Sequence, residues 1–394
     1  MQIRSIFVFT AFLAHLFLFT TALSAQSGRP LYEVNQDTRF RAAPDEYHRS
    51  QVQLNAALAE VPPVPGEILL IPAGESVQAF VVTHVREFIP GILSFTGVDA
   101  NGGSRYMAFS MQGDRLVGLM QLLPEAELYY VTPQPESSAN VLSRMRPDRM
   151  DVLSCGVNEQ VSEAFVLPED HPMQRARRNA AAQQMFRAPG AGLALSSLVA
   201  GRSDKVTIDI MMVYTGNAEN WALGTVGSIE LAMAQAMNLS QQAIDVSDVH
   251  IELRLVHTHK LTYNQDDDNE LNSSGVPSGT HLRRLSANPS NNIFGGEFLG
   301  FMNEVHQLRN QYGADMVSML ARVNDTGGLA WLLNNLAGVP ELGFSLNRIQ
   351  QSTNGYTVVH ELGHNMGLAH GRQQVTQNAG PFGGIHMYSA GWIF

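Results

Sequence analysis

One run of eleven residues, His360-Glu361-Leu362-Gly363-His364-Asn365-Met366-Gly367-Leu368-Ala369-His370, constrains this chain more than any other stretch. On an α-helix, side chains four residues apart stand on one face about one turn apart, so His360 and His364 can offer both imidazoles to a single ion. Glu361 then flanks that ion. A glycine at 367 lets the backbone enter the left-handed region that stops a helix, and the reversal can bring His370 round as a third nitrogen ligand. Three protein ligands leave a fourth position for water, which distinguishes a catalytic zinc site from a closed structural one. Val359, Leu362 and Met366 supply an apolar stripe at helical spacing beside the histidine face.

The pattern HExxHxxGxxH is that of the metzincin superfamily of zinc metallopeptidases, which this chain resembles. Five fixed residues at that spacing arise by chance in on the order of one chain in 10⁵ of this length. Val249 to His257, Tyr312 to Val317 and Tyr356 to Gly367 look like their counterparts in the reprolysin-like and peptidyl-Asp metallopeptidase group. The resemblance covers residues 205 to 394 and implies an α/β (α+β) metzincin-like catalytic domain, with a twisted mixed sheet above an active-site helix. It also implies one catalytic Zn2+ on His360, His364 and His370, with Glu361 as the catalytic base.

Zinc held by neutral imidazoles acidifies a bound water toward a pKa of about 7. Glu361 is placed to take that proton as water attacks a peptide carbonyl and to return it to the leaving amine. The expected reaction is therefore endoproteolysis of a protein or peptide substrate, without a covalent acyl-enzyme. In the resembled family an extended peptide adds to the edge strand of the sheet, which assigns Gly328, Leu329, Ala330 and Trp331 to substrate holding. An apolar segment of the core is the other reading of those residues. The alternative function is a catalytically inactive, metzincin-like binding protein. Retention of Glu361 with all three histidines speaks against it, since a binder needs no base. A zinc hydrolase of non-peptide substrates is a third reading.

At 394 residues the chain has material for two domains. Residues 1–25 have the form of a secretory signal peptide: Arg4, an apolar run from Ile6 to Phe19, then small residues suited to cleavage. Export, extracellular or periplasmic, is expected, with no membrane association after signal cleavage; a retained anchor is the competing reading. Residues 26–170 resemble a β-rich propeptide; taken alone they could equally be a carbohydrate- or protein-binding β module. Its pattern is weak to Pro65, with a helix-like patch near Tyr47 to Leu58. Strands are then expected at Val77 to Val85, Ile92 to Val98, Arg105 to Met111, Arg115 to Gln121 and Leu128 to Val131, as an antiparallel sheet or small barrel. Residues 171–203 form a linker whose Arg175, Arg177 and Arg178 suit proteolytic processing, or are a solvated charge run.

Cys155, the single cysteine, excludes an intramolecular disulfide. A thiolate in the fourth position of the zinc would displace water and silence the enzyme, as propeptide cysteines do in several metzincins. A buried inert thiol is the bland reading. A net charge of −11 argues against nucleic acid as a partner. Oligomeric state is unreadable.

In residues 204–394, strands at Val206 to Tyr214, Val249 to His257 and Asp315 to Ala321 alternate with helices at Asn217 to Ile244 and Phe298 to Tyr312, and the active-site helix starts near Asn354. The acidic run Asp266-Asp267-Asp268 reads as a solvated loop, with Ca2+ a remoter possibility because no calcium-loop spacing is present. Two departures stand out. Gly371 replaces the Asp that many relatives carry after the third histidine. The methionine turn expected beneath the zinc is either Met387-Tyr388 or lies beyond Phe394; the second, preferred reading makes the chain a C-terminally truncated fragment with an incomplete lower subdomain.

Overall fold

Alternation of apolar and polar residues gives the N-terminal half its strands, because successive side chains of a strand face opposite sides of a sheet. The computed structural model describes residues 28–39, 42–122, 127–134, 137–155, 205–263, 265–266, 276–291, 293–333, 338–371 and 390–391. The proposed signal, the linker with Arg175, Arg177 and Arg178, and Met387-Tyr388 lie outside the described residues.

Ten strands form the first sheet: β1 (Arg29–Pro30), β2 (Tyr32–Arg39), β3 (Glu46–Leu54), β4 (Ile68–Ala73), β5 (Ser76–Ile89), β6 (Ile92–Asp99), β7 (Arg105–Gln112), β8 (Arg115–Leu122), β9 (Glu127–Pro133) and β10 (Asn140–Met145). A short helix, α1 (Ala56–Glu60), follows β3. Their order is β1-β4-β5-β6-β7-β8-β9-β10-β3-β2, antiparallel except for β1 with β4. The two outer strands are joined through Leu31 alone, so the sheet curls round to bring its ends together as a barrel. Phe80, Phe95, Phe109, Leu69 and Ile71 fill one of its faces. The helix-like patch at Tyr47 to Leu58 is corrected: most of it is β3, and only its end turns helical, because strand alternation and pairing with β2 and β10 override a weak polar pattern.

The C-terminal half builds a second sheet from β11 (Val206–Tyr214), β12 (Ile251–Lys260), β13 (Met316–Ala321), β14 (Gly328–Ala330) and β15 (Phe344–Arg348). Its order is β12-β11-β13-β15-β14, parallel except for the edge strand β14. Both faces are covered, which explains the continuous apolar run in β11: Ile210 and Met212 enter one cluster, Met211 and Val213 another. The expected helix from Asn217 to Ile244 is two helices, α2 (Gly216–Thr225) and α3 (Ile229–Val246). The chain turns at Gly227, and the Ser228 side chain accepts from the Leu231 N–H as the N-cap of α3. Then come α4 (Ser278–Ser286), α5 (Asn303–Tyr312), α6 (Ile349–Ser352) and α7 (Thr357–Asn365). Phe298, expected to open the second helix, instead ends a separate 3-10 turn over residues 296–298, and α5 starts at Asn303. No helix among the described residues is long and apolar enough to cross a membrane.

The acidic run also needs correction at Asp266. Its side chain is fully buried, accepting from the Thr215 hydroxyl, the Asn217 amide and the Arg322 N–H, so it braces the fold rather than facing solvent. Asp267 and Asp268 lie outside the described residues.

The two halves share one apolar cluster, in which Ile92, Ala108 and Val117 of the barrel pack with Ile229, Met233 and Met237 of α3. Polar residues of α3 reinforce the contact. Gln235 donates to the Ala108 carbonyl at 3.2 Å, Gln242 to Met107 at 2.9 Å, and Asn238 to both Phe95 and Phe109 at 3.3 and 3.0 Å. Where two separate cores were expected, a third core bridges them.

Urea denaturation should therefore show one cooperative transition across both halves, and Asn238→Ala should lower stability by about 1–3 kcal/mol. Acid should also weaken the fold. Burial pulls His281 and His306 down to about 4, whereas unfolded histidine titrates near 6.5. The folded chain thus binds fewer protons, so stability is complete above pH 6.5 and falls as the pH drops toward 4. Each histidine should cost about 2 kcal/mol by pH 5, read as a falling urea midpoint.

Candidate metal centre

Helix α7 carries His360 and His364 at the spacing that stacks their side chains. It is held in place by the residue that follows them. Asn365 is buried, and its amide nitrogen lies 2.9 Å from the Trp331 carbonyl and 3.1 Å from those of Leu342 and Phe344. The helix stops where expected: Gly367 has φ of 92°, and the Leu368 N–H donates back to Gly363 at 2.8 Å. The chain then enters β16 (Ala369–Gly371), which carries His370 and pairs with β17 (Ala390–Gly391).

The three Nε2 atoms converge. His360 lies 3.1 Å from both His364 and His370, and His364 lies 3.2 Å from His370. Tetrahedral zinc with ordinary zinc–nitrogen bonds would separate such nitrogens by about 3.3 Å. The reversal that returns His370 also orients its neighbour, since His364 Nδ1 lies 2.6 Å from the Leu368 carbonyl. Donation there leaves the Nε2 lone pair facing the centre. Burial keeps the rings neutral, as metal ligands must be: His360 falls to about 4, His364 to about 3, and His370 is also lowered.

Cys155 completes the cluster. Its Sγ lies 3.6 Å from His364 Nε2, and one donor atom from each of the four residues falls within 4.8 Å of every other. Zinc with ordinary sulfur and nitrogen bond lengths would put a thiolate about 3.6 Å from each imidazole nitrogen. The donor set therefore fits a tetrahedral ion. Among the described residues no second group of this kind forms, and His250, His257, His259 and His306 belong to none.

Glu361 is buried beside the cluster, with the Cys155 thiol 3.5 Å from its Oε2. Burial pushes this carboxyl up to about 8, and the thiol contact works in the opposite direction. Gly328 of β14 lies against it, so that a Cβ at that position would collide with the carboxylate.

Cys155 reaches the centre because residues 151–155 lie along the edge of the second sheet. Cys155 bridges to Gly328 in parallel, the Gly327 N–H donates to the Ser154 carbonyl at 2.9 Å, and the Gln351 amide exchanges two hydrogen bonds with the Leu153 backbone at 2.7 and 3.3 Å. The segment thus lies on the edge at which a peptide was expected to add. Gly328, Leu329 and Ala330 form that edge strand; Trp331 lies just past it, with its indole buried and donating to Ser286 at 2.8 Å. Only the backbone of Trp331 could meet a peptide. Gln351, Arg348 and Asn365 escaped the reading of the sequence, and the one local signal was the position of Asn365 directly after the second helical histidine.

A sheet, an underlying helix and a three-histidine cluster beside a carboxylate fit the centre of a metallopeptidase. Residues 204–391 match the reprolysin-type model described as metallo-peptidase family M12. The match supports a reprolysin-like metallopeptidase domain in that part of the chain. A peptidyl-Asp metalloendopeptidase of Pseudomonas aeruginosa is 28% identical over 197 residues, which cover 46% of this chain and 28% of the relative. A chain from a solved chaperone–substrate complex is 20% identical, over 42% of this chain and 25% of that one, with a TM-score of 0.30.

Gly328→Ala should displace Glu361 at a cost of about 1–3 kcal/mol in stability. The check is a thermal or urea melt of this variant beside Gly224→Ala, where a Cβ meets open space.

Proposed function

We propose that this chain is the latent, exported precursor of a zinc endopeptidase. His360, His364 and His370 hold the ion, Glu361 is the general base, and Cys155 holds the fourth position until the barrel, as propeptide, is displaced. The observation that carries this reading is the convergence of three imidazole nitrogens, 3.1–3.2 Å apart, on a point shared with a thiol and a carboxylate. Bound zinc would supply a Lewis acid for the peptide carbonyl and bring a water's pKa to about 7.

The chain's own residues do the rest. Glu361, buried beside the three imidazoles, is placed to accept a proton from the attacking water and return it to the leaving amine. The edge strand β14 offers backbone groups for an extended peptide, and in the latent form residues 153–155 take that place. Cutting at Arg175, Arg177 or Arg178 would free the segment from its covalent tether. Peptides with acidic side chains are the first substrates to try, since the Pseudomonas relative is named for peptidyl-Asp bonds.

Purified protein should contain about one zinc per chain, and His364→Ala should contain almost none. After cleavage of the linker, casein digestion should appear; Glu361→Gln should keep the zinc and lose about 10²–10⁴-fold in rate. Cys155→Ser should raise the activity of uncut protein. Equal digestion by the wild type and Glu361→Gln, or protein without metal, would overturn the reading.

A further inference from the structure

Arg348 ends β15, and its side chain is only 4% exposed. Its Nε donates to the Val323 carbonyl at 2.9 Å and its Nη1 to Gln351 Oε1 at 3.0 Å, both uncharged acceptors. The carboxylate it meets comes from elsewhere. Asp151 accepts from Nη2 at 2.5 Å through its side chain and from Nη1 at 2.8 Å through its carbonyl. Asp151 itself is 75% exposed and belongs to the segment that ends over the metal centre. Among the described residues, the catalytic half thus buries a guanidinium without supplying its counter-ion. A buried cation stripped of its partner is costly, so the site has a standing demand for an anion.

The remaining contacts of the segment show what kind of anion. Leu153 and Ser154 are gripped through their backbones, by Gln351 and Gly327, which any extended peptide could reproduce. Val152 and Ser154 are exposed. Leu153 is half-buried along the cleft, and before Cys155 the charged side chain that the cleft reads is the carboxylate of Asp151. We propose that Arg348, with Gln351 beside it, is a subsite for an acidic side chain of a bound peptide, which Asp151 fills in the latent chain. The subsite lies four residues along the segment from the metal position. The inference rests on the reading of this cleft as a peptide site, and it adds the residue that selects the peptide.

Because Cys155 is the single cysteine, the rate of its modification by a thiol reagent reports release of this segment in the folded full chain. Asp151→Asn should raise that rate on the order of tenfold. In this variant, the peptide acetyl-Asp-Val-Leu-Ser-amide should raise the rate further and saturably, whereas the Asn analogue should not. Arg348→Lys should weaken the response and Arg348→Gln abolish it. In linker-cut protein, an Asp-for-Asn exchange at the matching substrate position should improve kcat/KM on the order of tenfold through KM, and Arg348→Gln should lose that preference. Equal responses to the Asp and Asn peptides would overturn the subsite. If no peptide is cleaved but the Asp peptide still drives thiol release, the subsite stands and the protease reading falls.

Discussion

Three neutral imidazoles with their lone pairs aimed at one point repel one another, and a fold that brings the nitrogens within 3.1–3.2 Å must hold them there by other means. The means are visible. Asn365 fastens α7 to carbonyls at Trp331, Leu342 and Phe344, Val358 and Leu362 bury its inner face, and the turn at Gly367 aims both His370 and, through the Leu368 carbonyl, His364. A cation is what turns this arrangement from a cost into a gain. The neighbouring carboxylate follows the same logic, since Glu361 is buried in a place that disfavours its charge until a positive partner is present.

On the proposed reading, latency is built from the same materials as substrate binding. The segment that ends in Cys155 lies on the sheet edge, meets the backbone of Gly327 and the amide of Gln351, and closes with an ion pair at Arg348. Glycines at 327 and 328 allow that approach: a Cβ at 327 would strike the Leu153 carbonyl, and one at 328 would strike Glu361. Thus the glycines that admit the covering strand also keep room for the carboxylate behind it.

The convergence of the three histidines was legible because they fall within eleven residues and their geometry follows from helical repeat and one left-handed turn. The strands from Ser76 to Pro133 were legible for a similar reason, since turn signals punctuate a regular alternation. Most long-range partners were not; Cys155 was expected at the histidines by analogy with propeptide cysteines, but its route there was not. Cys155 and Gly328 are far apart in sequence, and nothing local to either announces the other. Gln235, Asn238 and Gln242 look like the wet face of a helix, yet they are buried against barrel carbonyls. Asp266 sat in an acidic run and looked solvated, although Thr215, Asn217 and Arg322 enclose it. In each case a tertiary contact reversed the meaning of a polar residue.

The shared core between the barrel and α3 bears on what cutting the linker can accomplish. Apolar packing and amide-to-carbonyl bonds would still hold the two pieces together once the covalent connection is gone. Scission alone would then turn an internal inhibitor into a separate subunit that obeys mass action, tightly docked when concentrated and lost when diluted. On the proposed reading, the enzyme would be switched on by the escape of its former N-terminal half, at a moment set by dilution or by digestion of that half and not by the cut itself.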